Sequence, residues 1–357
     1  MLAALEVQDR DNEYDILLPE NDAALLSFTE QTFRKTVFPS RLANPVLNIL
    51  WHNTALCRRS EEEDYDLIHI PTYRRIPVRK KVPVVATVHD LATFTINRKY
   101  DPARMFFNRR IVPSMIRNAD HVITVSQFTR DDVVRLIGMP EDRITVIYSG
   151  IDRTLFHPVP GAEALPRLEE KYGLDAPFLV YVSRVEHPAK NHLNLVRAFE
   201  MLKKKGDFPL KLVFAGADWN GAETVKSYVR ESPVADDVQF LGFVATEDIP
   251  LLYSAAELMV YPSYFEGFGF PVIEALACGC RVCCSNTSSL RELAGDVVPT
   301  FAPGSAAEIC ARIEDELQAE DSEEERRRRI NYASGFDWAE TARQVLDVYA
   351  LVAGGPS

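Results

Sequence analysis

Cysteine is scarce in this sequence, at six of 357 residues, and long apolar runs are missing. So few cysteines in a chain of this length exclude a small domain held together by disulfides. No apolar run approaches the roughly 18 residues that a membrane-spanning helix requires. The opening residues, MLAALEVQDRDNEY, lack the basic start and long apolar centre of a secretory signal peptide. These absences predict a cytoplasmic protein.

Positive charge is also in deficit. The chain has 40 Lys and Arg residues against 52 Asp and Glu, for a net charge of −12 at pH 7. A negative chain is repelled by nucleic-acid phosphates, so we expect no nucleic-acid partner. The length and the 46% hydrophobic content predict a globular protein of two domains.

Four of the six cysteines crowd into the segment CGCRVCC, as Cys278, Cys280, Cys283 and Cys284. Thiolates at such short spacing could bind a metal ion. However, RVCCS is typical of a strand, in which neighbouring side chains point to opposite faces, so one tetrahedral site could not easily collect all four. We therefore expect buried packing rather than a metal site.

Short β-branched apolar runs alternate with longer amphipathic stretches along the whole chain, which predicts parallel sheets covered by helices. The predicted strands are 14–19, 66–70, 83–90, 121–126 and 144–150 in the first half, and 177–183, 210–216, 237–243, 258–263 and 281–285 in the second. This pattern predicts an α/β fold of two doubly wound domains.

The boundary is expected within 154–167, where Pro158, Pro160, Gly161 and Pro166 interrupt the periodicity. We therefore expect an N-terminal domain over 1–157 and a C-terminal domain over 158–335. The remaining residues, 336–357, contain FDWAETARQVLDVYALV, which predicts a closing helix that packs back towards the N-terminal domain.

Charge is unevenly distributed. Residues 74–135 contain 13 basic and five acidic side chains, and RRIPVRKK at 74–81 is the densest part. Such a stretch could face an anionic lipid, a phosphate-bearing substrate or a membrane surface, or it could simply be solvated. The charge-rich stretch 314–329 predicts one exposed helix face with ion pairs four residues apart.

The segment from Tyr261 to Asn286, YPSYFEGFGFPVIEALACGCRVCCSN, carries the strongest functional signal. A strand ends in a loop that holds Glu266, Gly267 and Gly269, and a helix containing Glu274 follows. Ligands of open α/β sheets bind at the carboxyl ends of the strands, and a helix N-terminus favours phosphate. Carboxylates accept hydrogen bonds from hydroxyl groups. A loop with both features suits a nucleotide-sugar.

This segment resembles the signature of the family 4 retaining glycosyltransferases of GT-B fold, in which two glutamates flank seven residues, as in EGFGFPVIEALACG here. The resemblance covers nearly the whole chain. It continues through VHDL, ADHVITVSQFT, VIYSGID, VSRVEHPAKNHLNLVRAFE, VQFLGFV and FDWAETA, in the family's order. It implies two Rossmann-like domains that face a central cleft.

The resemblance also implies roles for individual residues. Arg184 and Lys190 would grip the donor diphosphate, and Glu274 would bind the ribose hydroxyls. Glu266 would bind the hydroxyls of the donor sugar, and His89, at the end of an N-domain strand, would lie near that sugar. The implied catalytic residues are thus His89, Glu266, Arg184 and Lys190, and the remaining implied donor-binding residues are Glu274, Gly267, Phe268, Gly269, Gly242, Phe243 and Val244.

The implied activity is the transfer of a hexose, with mannose as one candidate, from a GDP- or UDP-sugar to a glycan or lipid-linked acceptor, with retention of configuration. Polysaccharide biosynthesis is the implied process. No cofactor and no metal are expected. The two Asp-any-Asp strings, Asp9–Asp11 and Asp64–Asp66, precede predicted strands instead of following one, which argues against the metal-chelating motif of the other major transferase fold.

The sequence departs from the family pattern at its start, where the first strand and its Gly-rich loop are absent. Such a departure is expected if the start of the sequence is truncated or misassigned, or if the protein is a degraded relative of the family. Two alternatives therefore stay open beside the transferase. One is a catalytically impaired protein that binds sugar nucleotides, and the other is a GT-B nucleotide-sugar epimerase using His89, Asp90 and His187. The basic stretch leaves open a peripheral position at the inner face of the cell membrane.

Overall fold

The computed structural model describes residues 1–95, 102–175, 177–206 and 209–354, which divide into two units. Unit 1 combines Met1–Gly150 with the C-terminal segment that starts at Asp337, and unit 2 is Ile151–Phe336. The Ile151 amide donates to the Phe336 carbonyl at 3.1 Å, which ties the two ends of unit 2 together. This division lies seven residues before the boundary expected from the proline cluster.

The strands of unit 1 form two separate parallel sheets. In the first, β1 (Tyr14–Pro19) pairs with β2 (Phe33–Phe38). The second has the order β3-β4-β5-β6, with bounds Ile68–Ile70, Val84–Val88, His121–Thr124 and Ile144–Val146. The sequence predicted all of these strands except β2, whose central residues, Arg34, Lys35 and Thr36, are polar and hide the apolar pattern.

Helices cover both faces of the larger sheet. In the described residues up to Gly150, the helices of unit 1 are α1 (Leu2–Gln8), α2 (Pro45–Asn53), α3 (Ala55–Glu62), α4 (Ala92–Thr95), α5 (Pro102–Phe106), α6 (Val112–Arg117) and α7 (Gln127–Asp132). Alternate side chains of β4 point to opposite faces. Thus Val84 and Val88 pack with Ile116 of α6, whereas Val85 packs with Leu5 of α1.

Unit 2 contains one six-stranded parallel sheet of order β12-β11-β10-β7-β8-β9. In chain order the strands β7 to β12 are Phe178–Val182, Lys211–Ala215, Val238–Gly242, Leu258–Tyr261, Val282–Ser285 and Thr300–Phe301. The strand order reverses between β7 and β10, so these neighbours form a topological switch point, where α/β sheets bind ligands. The prediction of two doubly wound α/β domains is confirmed.

The helices of unit 2 are α8 (Gly161–Tyr172), α9 (His192–Lys205), α10 (Ala222–Glu231), α11 (Ile249–Ala255), α12 (Phe270–Ala277), α13 (Ser288–Ala294), α14 (Ala306–Gln318) and α15 (Glu323–Ala333). The prediction of one exposed helix face over 314–329 was wrong. Ser322 caps α15 by accepting a hydrogen bond from the Glu325 amide, and Arg329 is buried against the Gly279 carbonyl.

The last helix, α16 (Trp338–Ala353), belongs to unit 1. Asp337 caps its first turn through the Ala339 amide. Val345 and Val348 lie in one core with Leu5 of α1 and Val85 of β4, so α16 and α1 together cover one face of the larger sheet. Residues 355–357, the end of the predicted C-terminal segment, lie outside the described residues.

Candidate active site

The loops that follow β7 and β10 meet at the switch point of unit 2. Leu179 and Val180 of β7 pair with Leu258 and Met259 of β10, so both strands deliver their carboxyl ends to the same place. The loops are joined by backbone contacts, because the Tyr264 amide donates to the Ala189 carbonyl at 3.1 Å. The buried side chain of Asn191 also donates, through Nδ2, to the Pro262 carbonyl at 3.0 Å. These contacts fix the two loops against each other.

Two residues implied in catalysis come together here. The ammonium Nζ of Lys190, after β7, lies 2.6 Å from Oε1 of Glu266, after β10. Their side chains are only 16% and 14% exposed, so the pair is largely shielded from solvent. Little water separates the pair from any ligand that reaches it, and charge interactions are stronger in such a setting than at an open surface. A cation and a carboxylate are thus presented at one point of the sheet edge.

Two buried tyrosines support this pair. The Tyr261 hydroxyl donates to Glu266 Oε1 at 2.9 Å, and the Tyr181 hydroxyl donates to the Lys190 carbonyl at 2.9 Å. Their rings pack edge to face, with centroids 5.2 Å apart. Burial raises the pKa of both hydroxyls well above the usual value, so both remain protonated donors. Tyr261 and Tyr181 therefore set the positions of the carboxylate and of the lysine backbone.

The glycine loop between Glu266 and α12 is held by the start of α13. The Glu266 amide donates to Ser288 Oγ at 3.0 Å, and Ser289 Oγ donates back to the Glu266 carbonyl at 3.0 Å. Gly269 precedes α12 with φ 121°, which side-chain-bearing residues rarely adopt, and a Cβ there would lie 2.8 Å from Leu290 Cδ2. The loop conformation thus requires glycine at position 269.

Glu274 lies on α12, eight residues after Glu266 and partly buried. Burial raises the pKa of its carboxyl group to about 7, although a hydrogen bond from Tyr253 opposes the rise. The Tyr253 hydroxyl lies 3.4 Å from Oε2, which is a long hydrogen bond. This carboxyl group can therefore gain hydrogen bonds when hydroxyl groups of a ligand approach.

Arg184 lies two residues after β7 and is half exposed. Its guanidinium stacks over the indole of Trp219, 4.8 Å from the ring centroid, and one nitrogen lies 3.4 Å from Glu186 Oε2. Trp219 follows β8, and its amide donates to the Val185 carbonyl at 3.0 Å. A guanidinium held by stacking keeps its N–H groups available for a phosphate.

The segment Gly242–Val244 begins at the last residue of β9, one strand further along the sheet. Gly242 has φ 69°, and its carbonyl accepts from the Gly216 amide at 2.8 Å. Phe243 is 77% exposed, whereas Val244 is buried. An exposed aromatic ring at the carboxyl end of a strand is available to stack on a flat ligand group.

His89 lies in unit 1, directly after β4, apart in sequence and in unit from the other residues implied in the site. It is exposed, and its Nε2 lies 3.2 Å from the Pro71 carbonyl, which follows β3. The next residue, Asp90, accepts from the Ala92 amide at 2.8 Å and so begins α4. His89 therefore stands at the carboxyl edge of the unit 1 sheet.

Two family models match this sequence. The model described as Glycosyl transferases group 1 matches residues 167–335, and the model described as Glycosyltransferase Family 4 matches residues 3–155. O-antigen chain mannosyltransferase B of Escherichia coli is 31% identical over 270 residues, which are 75% of this chain and 70% of that protein. This chain belongs to glycosyltransferase family 4. The resemblance found in the sequence is confirmed.

Solved structures show the same GT-B fold as this family 4 glycosyltransferase. Sucrose-phosphate synthase from Thermosynechococcus elongatus is similar with a TM-score of 0.75 at 21% identity, covering 95% of this chain and 89% of that one. HepE of Anabaena, solved in complex with UDP-glucose, has a TM-score of 0.72 at 19% identity, covering 94% and 99%. At these identities the likeness shows the fold alone.

Several supporting residues of this glycosyltransferase were not assigned roles from the sequence. Tyr261 lies inside the segment that carries the resemblance and Ser288 lies two residues after it, but nothing in their spacing shows that they hold Glu266. Tyr181 and Trp219 are ordinary members of a strand and of a loop. Their roles depend on the order of strands in the sheet, which brings β7, β8 and β10 together.

The four crowded cysteines are buried in the described structure. Burial raises the pKa of Cys280 and Cys284 to about 12, so both are neutral thiols rather than thiolate ligands. Over residues 1–95, 102–175, 177–206 and 209–354, no group of three or more His, Cys, Asp or Glu side chains could hold a metal ion. No helix in the same ranges is long and apolar enough to cross a membrane.

Proposed function

We propose that this family 4 glycosyltransferase moves a hexose from a GDP- or UDP-sugar to a glycan or lipid-linked acceptor, with retention of configuration and without a metal ion. The observation that carries the proposal is the shielded contact between Lys190 and Glu266 at the switch point of unit 2. One donor needs both charges at one place, because it joins an anionic diphosphate to a sugar rich in hydroxyl groups.

The donor diphosphate is proposed to lie between Lys190 and Arg184. Charge on the diphosphate grows as the bond to the sugar breaks, and two cations stabilise it in the way that a metal ion does in other transferases. The N-terminal end of α12, which follows the glycine loop, adds its positive dipole. These groups supply the electrostatic part of catalysis from this chain alone.

The two glutamates are proposed to bind hydroxyl groups of the same donor. Glu266, oriented by Tyr261, accepts hydrogen bonds from the transferred sugar, with the amides of Gly267, Phe268 and Gly269 beside it. Glu274 accepts from the ribose, and Phe243 with its neighbours Gly242 and Val244 flanks the base. Mannose is the proposed sugar because the relative that is 31% identical, O-antigen chain mannosyltransferase B, is named as a mannosyltransferase.

Retention is proposed to follow from attack on the face that the diphosphate leaves. The acceptor hydroxyl forms its bond to the anomeric carbon while the bond to the phosphate oxygen breaks, and that phosphate oxygen takes the acceptor proton. No protein nucleophile is needed in this scheme. His89 is proposed to lie near the transferred sugar, and unit 1 is proposed to bind the acceptor.

Peripheral contact with an anionic membrane is part of the proposal, since a lipid-linked acceptor lies at a bilayer. The basic stretch 74–135 supports it, although residues 96–101 of this stretch lie outside the described residues. Part of the charge is used within the protein, because Lys80 pairs with Asp120 and Lys81 pairs with Glu61. The charged side chains therefore offer less attraction than the sequence count suggests.

A transfer assay tests the proposal. The purified protein is incubated with GDP-, UDP-, ADP- and dTDP-sugars, and hydrolysis or transfer is followed with the anomeric configuration of the product read by NMR. Turnover of a GDP- or UDP-hexose with a retained anomeric centre supports the proposal. Inversion of configuration, or dependence on added Mg²⁺, contradicts it.

A second candidate is a sugar-nucleotide-binding protein with impaired transfer. The observation that favours it is the division of the unit 1 strands into separate sheets of two and four strands. Tight binding of the donor by calorimetry without transfer or hydrolysis supports this candidate, whereas turnover excludes it.

A further inference from the structure

Helix α2 (Pro45–Asn53) exposes its apolar side chains. Val46 is 74%, Leu47 42% and Leu50 59% exposed, and none of its residues is buried. These positions lie on one side of the helix, since residues three and four apart are neighbours. The helix is well specified locally, because Asn44 accepts from two amides of its first turn and Pro45 occupies the first position.

The polar side chains of α2 make their hydrogen bonds within the protein. Asn48 Nδ2 donates to the Leu42 carbonyl at 2.9 Å, and His52 Nδ1 lies 2.8 Å from the Asn48 carbonyl. Asn53 donates to the Ile49 carbonyl at 2.8 Å. A surface helix of a globular protein normally shows the reverse pattern, with polar groups outside. The outward face of α2 therefore suits an apolar environment.

Val78 extends this face beyond the end of the helix. It is exposed, and its amide donates to Asn53 Oδ1 at 2.7 Å. Asn118 Nδ2 holds the same loop through the carbonyls of Pro77, at 2.6 Å, and Val78, at 3.1 Å. We use the name α2 surface for the four exposed side chains Val46, Leu47, Leu50 and Val78.

Positive charge borders the α2 surface. The arginines near this helix in sequence or through Val78 include Arg34, Arg41, Arg59 and Arg79. Arg34 and Arg59 pair with Asp15, but Arg41 and Arg79 are exposed and, in the part of the chain that the structure describes, contact no carboxylate. Arg41 lies just before α2, and Arg79 follows Val78. The apolar face thus has a cation at each end.

We infer that the α2 surface inserts into the headgroup region of an anionic lipid bilayer, with Arg41 and Arg79 on the lipid phosphates. This inference rests on the membrane contact in the proposed function and names the surface that makes it. A bilayer fits because it takes apolar side chains without needing directional polar partners, and because anionic lipids attract cations at the rim. A stable protein interface needs about 20 to 30 residues a side, far more than four side chains offer.

The test is co-sedimentation of the full chain with vesicles of phosphatidylcholine containing about 30 mol% phosphatidylglycerol, at low salt. We expect the wild type to bind these vesicles and to bind pure phosphatidylcholine at least tenfold less. The double variant Val46→Asp, Leu50→Asp should lose at least tenfold in partitioning. Asp at position 46 lies in the first helical turn, which tolerates an acidic residue, so α2 should still form.

The control is Leu351→Asp, which places one negative charge, against two in the double variant, at a comparably exposed leucine on α16 of the same unit. It should bind vesicles within twofold of the wild type. Arg79→Gln should weaken binding in low salt and have little effect in high salt, where exposed charges are screened.

The inference is overturned if the wild type does not bind the anionic vesicles, if the double variant binds as the wild type does, or if Leu351→Asp loses as much. It is also overturned if sedimentation velocity shows a dimer that the double variant abolishes while vesicle binding is unchanged. Donor hydrolysis in the absence of lipid tests the proposed function separately from membrane binding. Its rate should be equal in the wild type and in all of these variants, whatever the vesicle assay shows.

Discussion

Lys190 Nζ and Glu266 Oε1, which follow neighbouring strands, lie 2.6 Å apart and are both mostly shielded from water. The ammonium group and the carboxylate are therefore in direct contact. The lysine keeps two further N–H groups for a phosphate, and the second oxygen of the carboxylate remains for a hydroxyl group. In the proposed function, the pair links recognition of the sugar to neutralisation of the leaving group, so each residue should matter for both.

Lys190→Ala should lower the rate of the chemical step by about a hundredfold or more, because the charge that it stabilises grows in the transition state. The loss of donor affinity should be smaller. Single-turnover kinetics with saturating donor measures the two separately. Lys205→Ala, which removes a surface lysine paired with Glu314, serves as the control and should leave both unchanged. A loss of donor affinity with no loss in the rate of the chemical step would show that Lys190 only anchors the donor.

Tyr261→Phe should reduce kcat/KM about tenfold while the fold stays intact, since the ring still packs on Tyr181 but the hydrogen bond to Glu266 is gone. Steady-state kinetics and a thermal melt measure the two effects. Tyr228→Phe removes a hydroxyl that contacts Glu200 elsewhere in unit 2, and its kinetics should match the wild type. If the Tyr261→Phe enzyme has the wild-type kcat/KM, Glu266 does not need the hydrogen bond from Tyr261 for activity.

Glu274 should make donor affinity depend on pH. Its pKa of about 7 means that the carboxylate form, which accepts two hydroxyl hydrogen bonds, becomes dominant as the pH rises through 7. Donor affinity should therefore rise between pH 6 and pH 8, and Glu274→Gln should flatten that rise. Calorimetric titration with the nucleotide at several pH values measures it.

Glu274→Ala should weaken binding of the nucleotide about ten- to a hundredfold, because the carboxylate that accepts the ribose hydroxyls is gone. Unchanged affinity by calorimetry would contradict the proposed ribose contact.

The same carboxyl group should also make stability depend on pH. Its pKa is higher in the folded chain than its ordinary value of 4.5, so the folded state binds the proton more tightly. Stability from this group is full below about pH 4.5 and is lost as the pH rises through 7. Glu274→Gln should therefore lose less stability than the wild type between pH 5 and pH 8, as thermal melts across this range would show. Parallel curves for the two proteins would contradict the raised pKa.

Removal of divalent metal should leave activity intact. Lys190 and Arg184 are proposed to balance the diphosphate charge, so EDTA should not reduce transfer. The assay compares initial rates in EDTA and in excess Mg²⁺ with the same donor. A rate that falls with EDTA and returns with Mg²⁺ would show that the two cations are not sufficient.

Much of the fold follows from local sequence patterns. Apolar runs such as FLVYV and VVATV are buried within a sheet, and they predict strands at nearly the observed bounds. β2 was missed because FRKTVF exposes half of its residues and buries only Phe33, so burial did not shape its composition. The break between α14 and α15 was missed because acidic and basic residues are good helix formers on either side of it, and only Ser322 marks the new start.

The site could be predicted only in part. The spacing of Glu266 and Glu274 around a glycine loop is local, and the sequence shows it directly. The contact between Lys190 and Glu266 joins residues 76 positions apart and depends on which strands are neighbours. The pKa of Glu274 depends on burial by the surrounding chain. The roles of all the implied site residues, Lys190, Glu266 and Glu274 included, stay predictions.

Unit 1 is assembled from two distant stretches of the chain, since α16 returns to complete the core that contains Leu5 and Val85. During synthesis, unit 2 is contiguous and can fold as soon as it has left the ribosome. The first 150 residues emerge earlier, yet one face of their larger sheet is covered only in part, by α1, until the last helix is made. The nascent chain must therefore protect that apolar face for most of translation, and loss of α16 would harm the domain that is synthesised first.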